Sequence, residues 1–230
     1  MGCCFSSPNE DGESEPLLRT SSKTLSESAR PLRPTTNDVV QKKGRYLARH
    51  VGIDDLDERF RDVAETFNKQ QEDYETMKDT LENLANHYKC PPDVSLSQCL
   101  KKIKQEHNLQ HISLEVKGYD FSLTVRSDTE ISGKLKRTQE SIAEMSKAAK
   151  AVISVATKLQ EMMVWLLKAE ESMIQQVEAA ESRHQERKRL LDNLKKNLVE
   201  TQRAKELSPK YRKEAGNLLN EAAVLSGITP

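Results

Sequence analysis

The chain has 230 residues, enough for one ordinary domain or for a tail joined to a domain. Charged residues make up 31% and aromatic residues 4%, with a single Trp, a balance that suits extended helices and argues against a large compact core. Lys plus Arg and Asp plus Glu both number 36, so no global field draws the chain to nucleic acid and only local patches of charge can act.

In chain order the first element is Met1-Gly2-Cys3-Cys4-Phe5-Ser6. Removal of Met1 frees the glycine amine, and Ser6 stands where an N-myristoyltransferase favours a hydroxyl, so Gly2 is the expected myristoylation site. One myristoyl chain holds a bilayer only reversibly, and stable attachment needs a second signal. Cys3 and Cys4 supply it as expected sites of S-palmitoylation. Acylation there places the chain in the reducing cytosol, where its four cysteines form no disulfide framework. No secretory leader precedes the first acidic residues. The longest apolar run, Met162 to Leu167, is six residues between Glu161 and Lys168, whereas a spanning helix needs about 20. Lipid, rather than a helix, is expected to hold this chain on a membrane.

Residues 5 to about 50 are Ser, Pro, Thr and charge with few large apolar side chains, the composition of a disordered tether. As a random coil it would reach about 40 Å. Within it, Glu13-Ser14-Glu15-Pro16-Leu17-Leu18 matches the acidic dileucine signal read by clathrin adaptors. Leu17 and Leu18 would enter an apolar pocket while the Glu13 carboxylate meets a basic patch. Lys42, Lys43, Arg45, Arg49 and His50 close the tether as a basic cluster, either a contact for anionic lipid or a solvated linker.

Over residues 1–18 the chain resembles the membrane-anchoring subunit of the lysosomal Ragulator complex. That subunit also opens Met-Gly-Cys-Cys and continues with an aromatic residue, serines, an acidic stretch and a leucine pair. The resemblance implies myristate on Gly2, palmitate on Cys3 and Cys4, and delivery through Leu17 and Leu18 to the cytosolic face of late endosomes or lysosomes. If the leucine pair is unused, the plasma membrane or Golgi is the expected destination. Residues 53–230 carry none of the resemblance, so it implies an address and not the Ragulator function.

Order is expected from residue 51 onward. Ile53, Leu56, Phe60, Val63, Phe67, Tyr74, Met77, Leu81, Leu84 and Tyr88 keep a heptad register with polar Gln70 at the skipped position. They predict a helix over about 54–89, with Asp54 as N-cap and Pro91-Pro92 as the stop. A short helix follows, opened by a capping box at Ser95 and Gln98. Ile112, Leu114 and Val116, then Phe121, Leu123 and Val125, alternate with polar neighbours around Lys117-Gly118-Tyr119-Asp120, which predicts a β-hairpin over about 111–126. Alone it is marginal, so it must pack on a helix or add strands from a second copy.

A second capping box, Ser127 with Glu130, opens the longest predicted helix, about 128–206. Its seam alternates steps of four and three from Ile131 through Leu159, Met163 and Leu166 to Thr201, with Glu170, His184 and Arg187 as polar interruptions. The stripe is widest from Val152 to Leu167, where Trp165 reads as part of the core. Near the end, Arg183, Arg187, Lys188, Arg189, Lys195 and Lys196 make a basic run, either a solvated face or a membrane-facing strip. Ser208-Pro209 restarts the chain as a C-terminal helix over about 209–226, closed by Gly227.

No phosphate-cradling loop, nucleophile elbow or paired carboxylates appear, so no catalytic residue and no cofactor is expected and the chain reads as a non-enzyme. Cys90, Cys99, His107 and His111 are spaced too widely for an ordinary zinc motif, and no metal site is expected. The fold class is mainly α: a long heptad coiled coil or helical hairpin with a small β-hairpin insert and a disordered N-terminal tail. A first helix of about 54 Å cannot cover a seam of about 100 Å. Leu159, Met163 and Leu166 are therefore the expected seam for a coiled-coil partner or a homodimer. The function expected is a lipid-anchored adaptor or scaffold recruiting that partner to late endosomes or lysosomes. A membrane-shaping or tethering coiled-coil dimer is the alternative.

Overall fold

The computed structural model describes residues 44–91, 94–127 and 130–228. Gly2, Cys3, Cys4, Glu13, Leu17 and Leu18 lie outside the described residues. The rest is mainly helical with one two-stranded hairpin.

Helix α1 (Asp54–His87) follows the predicted stripe, burying Leu56, Phe60, Val63, Phe67, Met77 and Leu84. Its entry differs from the expectation. Ile53, not Asp54, is the N-cap and makes no side-chain bond. Asp57 instead reaches back from the first turn to accept the Val51 and Gly52 backbone N–H groups at 2.7 and 3.2 Å. The helix ends as expected before Pro91. Lys89 takes the left-handed conformation at φ 51°, and the Cys90 N–H closes the turn on the Ala85 carbonyl at 2.8 Å.

Helix α2 (Leu96–Glu106) has Ser95 as its N-cap, but the capping box does not form. The Glu221 carboxylate, more than a hundred residues away in sequence, takes the Leu96 and Ser97 N–H groups at 3.3 and 2.9 Å. A full charge at a helix N-terminus is a stronger acceptor than the Ser95 hydroxyl. That hydroxyl pairs with Ser97 instead.

Strands β1 (His111–Lys117) and β2 (Asp120–Arg126) form the predicted hairpin in antiparallel register, Leu114 opposite Leu123 and Lys117 opposite Asp120. Gly118, at φ 63°, supplies the first central residue of the two-residue turn. Ile112, Leu114, Phe121 and Leu123 turn into the core. The outer edge of β2 is bound to a helix: Ser146 accepts the Phe121 N–H at 2.7 Å, and Gln139 donates to the Leu123 carbonyl at 2.9 Å. Packing on a helix is thus how this hairpin escapes being marginal.

The predicted single helix over about 128–206 is three helices. α3 (Gly133–Lys168) begins at Ser132, whose hydroxyl accepts the Leu135 N–H at 3.3 Å, and not at Ser127. α4 (Glu170–Ala180) follows a one-residue irregularity at Ala169. The chain then leaves the helix over residues 181–183, and α5 (His184–Leu225) returns alongside α3 and α1. At that turn the Glu181 carboxylate accepts both the backbone N–H and the guanidinium of Arg183. The turn ends the heptad register. Leu190, Leu194, Asn197 and Thr201 are buried on α5, while His184 is exposed. Glu170 is also no seam layer. It is exposed in the first turn of α4, where its charge suits the helix N-terminus.

Nor does Ser208-Pro209 start a helix. Pro209 lies inside α5, and Ser208 is buried. An interior proline costs about 3 kcal/mol, and packing on both sides of it offsets that cost. Leu198 and Ala204 join one hydrophobic cluster, and Ala215, Leu218 and Ala222 join the other. Between them Tyr211 stacks on Tyr74 with ring centroids 4.2 Å apart.

α1, α3 and α5 thus form a three-helix bundle, α3 antiparallel to the other two. Its core is two clusters. One joins the C-terminal half of α1 to α2, the hairpin, the first half of α3 and the end of α5. The other joins the start of α1 to the end of α3, α4 and the start of α5. Near their boundary Gln70, fully buried, donates to the Val152 carbonyl at 3.0 Å. The polar residue at the skipped position is therefore a bond between α1 and α3.

Candidate functional site

Residues 45–53, of which the sequence places those up to about 50 in the tether, are an ordered strap laid along α5. An extended strap leaves its backbone groups without helix or sheet partners, so side chains must supply them. Asn68 of α1 both accepts from the Tyr46 N–H and donates to the Tyr46 carbonyl, each at 2.8 Å. Asn197 of α5 does the same for Arg49, at 2.8 and 2.7 Å. Asn193 donates to the His50 carbonyl at 2.8 Å. Asp57 takes the next two N–H groups, and its second oxygen lies 2.6 Å from His50 Nδ1.

Tyr46 pins the strap. Its ring is buried, and its hydroxyl donates to the Asn197 carbonyl at 3.0 Å, 2.8 Å from the Thr201 hydroxyl. Burial raises its pKa well above the ordinary tyrosine value, against the opposing bond to Thr201. Further along, Val51 is buried and Gly52 turns the chain into α1. At φ 81°, with a Cβ position only 2.8 Å from Leu190 Cδ1, that site admits glycine alone without rearrangement.

Outside the strap lies a basic surface. Along α5, His184, Arg187, Lys188, Leu191, Asp192 and Lys195 line one shallow hollow. Lys195, Lys196, Val199 and Glu200 line the next, and Arg49 of the strap completes it. The sequence showed the basic run and the strap cations as separate clusters, and the antiparallel course of strap and α5 joins them.

A second groove lies between α1 and α3, lined by Arg59, Asp62, Val63, Lys158, Glu161, Met162, Trp165 and Leu166. Trp165 is 45% exposed, with the Arg59 guanidinium 4.4 Å above its ring. The expectation of a core Trp is corrected: the stripe is wide there, but Trp165 sits on its outer border.

The seam residues are placed differently again. Leu159, Met163 and Leu166 are all buried within this chain, packed with Phe60, Val63 and Phe67 of α1 and with Leu190 and Leu194 of α5. Their expected role as a seam open to another chain is corrected, because the reversal at residues 181–183 folds the long stripe back upon itself.

Cys90 and Cys99 are free thiols. Burial, then the neighbouring Cys90, pushes the Cys99 thiol up to about 12, which makes it a poor nucleophile near neutral pH. Among the described residues no cluster of three or more His, Cys, Asp or Glu side chains suits a metal ion, and no helix is long and apolar enough to cross a membrane. No family model, curated protein or solved structure matches the chain.

Proposed function

We propose that this chain is a lipid-anchored, non-enzymatic adaptor on the cytosolic face of late endosomes or lysosomes. The observation that carries the reading is the opening Met1-Gly2-Cys3-Cys4-Phe5-Ser6, with Glu13, Leu17 and Leu18 close behind. Gly2 takes myristate and the cysteine pair takes palmitate, the two signals that lasting attachment requires. The leucine pair serves a clathrin adaptor and sets the destination.

The strap extends the ordered body toward the tail: the last residues before α1 are clamped along α5 by Asn193 and Asn197, so the body begins ahead of its first helix. The body itself acts as a scaffold. Its helices pair through seams of coiled-coil type, and the partner is an amphipathic helix. With the long seam closed internally, the docking place is the groove beside Trp165. An exposed Trp with an Arg above it has the composition of a binding hot spot, and a groove between two helices suits a third.

In cells, Gly2→Ala is expected to release the chain to the cytosol, since palmitoylation follows the transient contact that myristate provides. Membrane fractionation of that variant checks it, and a fraction on membranes equal to that of the parent chain would sink the dual-acyl reading.

A further inference from the structure

We infer that the basic surface shared by the strap and α5 is a docking face for anionic lipid, which lays the body flat on the bilayer that the tail anchors. The inference deepens the reading above and relies on it for bringing a bilayer within reach.

The two adjoining hollows hold five cations, Arg49, Arg187, Lys188, Lys195 and Lys196, against two carboxylates, Asp192 and Glu200. Both carboxylates are already engaged: Asp192 pairs with Lys196, and Glu200 with Arg203. Among the described residues, Arg49, Arg187, Lys188 and Lys195 make no ion pair. In a chain of zero net charge, this local excess is a field that the rest of the molecule does not need for its own packing.

Three features favour a bilayer over a soluble polyanion. The cations of α5 run along it for about 14 Å, from residue 187 to residue 196, and present no cleft that would enclose a strand or a duplex. An apolar side chain stands among them: Val199 is 68% exposed in the same hollow as Arg49, Lys195 and Lys196. Leu47, on the strap two residues before Arg49, is 55% exposed. Basic residues around exposed aliphatic ones are the pattern of surfaces that rest at the headgroup boundary. Finally, the strap that contributes Arg49 is continuous in sequence with the tail that carries the expected acyl sites, so anchoring keeps this face within reach of lipid.

The test uses the full chain made in a bacterium without N-myristoyltransferase, so that no acyl group contributes. Sedimentation with phosphatidylcholine vesicles is compared with and without phosphatidylserine, at low and at high salt. The inference expects binding only with phosphatidylserine, weakening as salt rises. Lys195→Glu with Lys196→Glu should weaken it by about tenfold or more, each lysine near anionic lipid being worth roughly a fivefold change. Lys101→Glu with Lys102→Glu on α2, an equal change of charge elsewhere, should leave binding unaltered. Val199→Asp carries the same test if the first pair disturbs folding, as judged by helical circular dichroism. Absence of phosphatidylserine-dependent binding, equal loss in the control pair, or preference for a soluble oligonucleotide at the same salt would overturn it. Because the chain is unacylated, failure here leaves the Gly2 result in cells untouched, and failure there leaves this one untouched.

Discussion

Leu159→Asp combined with Leu166→Asp is expected to unfold the chain on its own, at every protein concentration. Both leucines are buried between α1, α3 and α5. Truncating such a side chain costs roughly 2–5 kcal/mol, and a carboxylate left unpaired in that setting costs more. Two of them exceed or equal the roughly 5–15 kcal/mol by which a domain of this kind is stable. The milder Leu159→Ala should keep the fold and lower the melting temperature by on the order of 5–20 °C. Its midpoint should not move with protein concentration, because the loss is within one chain and not between two. Circular dichroism across a hundredfold range of concentration separates the possibilities. A double variant that keeps its helical signal and only sediments as a smaller species would mean that these leucines face another chain after all.

Tyr46→Ala is expected to free the strap while leaving the bundle folded. The substitution removes a buried ring and its bonds to the Asn197 carbonyl and Thr201, a loss of about 3–5 kcal/mol by comparison with other buried aromatic truncations. Cleavage in a held segment proceeds through local opening, so trypsin should cut after Arg45 and Arg49 roughly a hundredfold to a few thousandfold faster in the variant. Tyr46→Phe keeps the ring and should give a much smaller acceleration. Equal cleavage of parent and variant would show that the asparagine bonds alone hold the strap, or that it is free in solution.

Local periodicity made much of the fold legible, and the misses have identifiable causes. α1 was readable because its stripe keeps one register from Leu56 to Leu84, with only Gln70 polar at a seam position, and Pro91 forbids continuation. The hairpin was readable because period two is unlike period 3.6 and Gly118 marks the turn. The reversal at residues 181–183 was not. It contains no Gly, Pro or Asn, and the seam before and after it is in the same nominal register. The signal in the sequence is the polar run from Glu181 to Lys188, eight residues with nothing to bury. Pro209 misled in the opposite sense, since a helix packed on both flanks tolerates it. Of the surface, the basic run on α5 was visible. Its continuity with Arg49 was not, because a strap satisfied by Asn68, Asn193 and Asn197 leaves no periodic trace. The acyl and dileucine motifs are properties of the sequence and owe nothing to the fold.

The same division orders the account of function. In the proposed function the tail would supply an address, while the three-helix body closes its own core and would offer its outer faces to lipid and partner. The claim at its centre is chemical, and it is read most directly from the mass of the N-terminal peptide of the membrane-bound protein isolated from cells. Met1 is expected to be absent, Gly2 to carry a myristoyl amide, and Cys3, Cys4 or both to carry a palmitoyl thioester removable by hydroxylamine. An N-terminal peptide from the membrane fraction with a free amine at Gly2 and unmodified cysteines would contradict it.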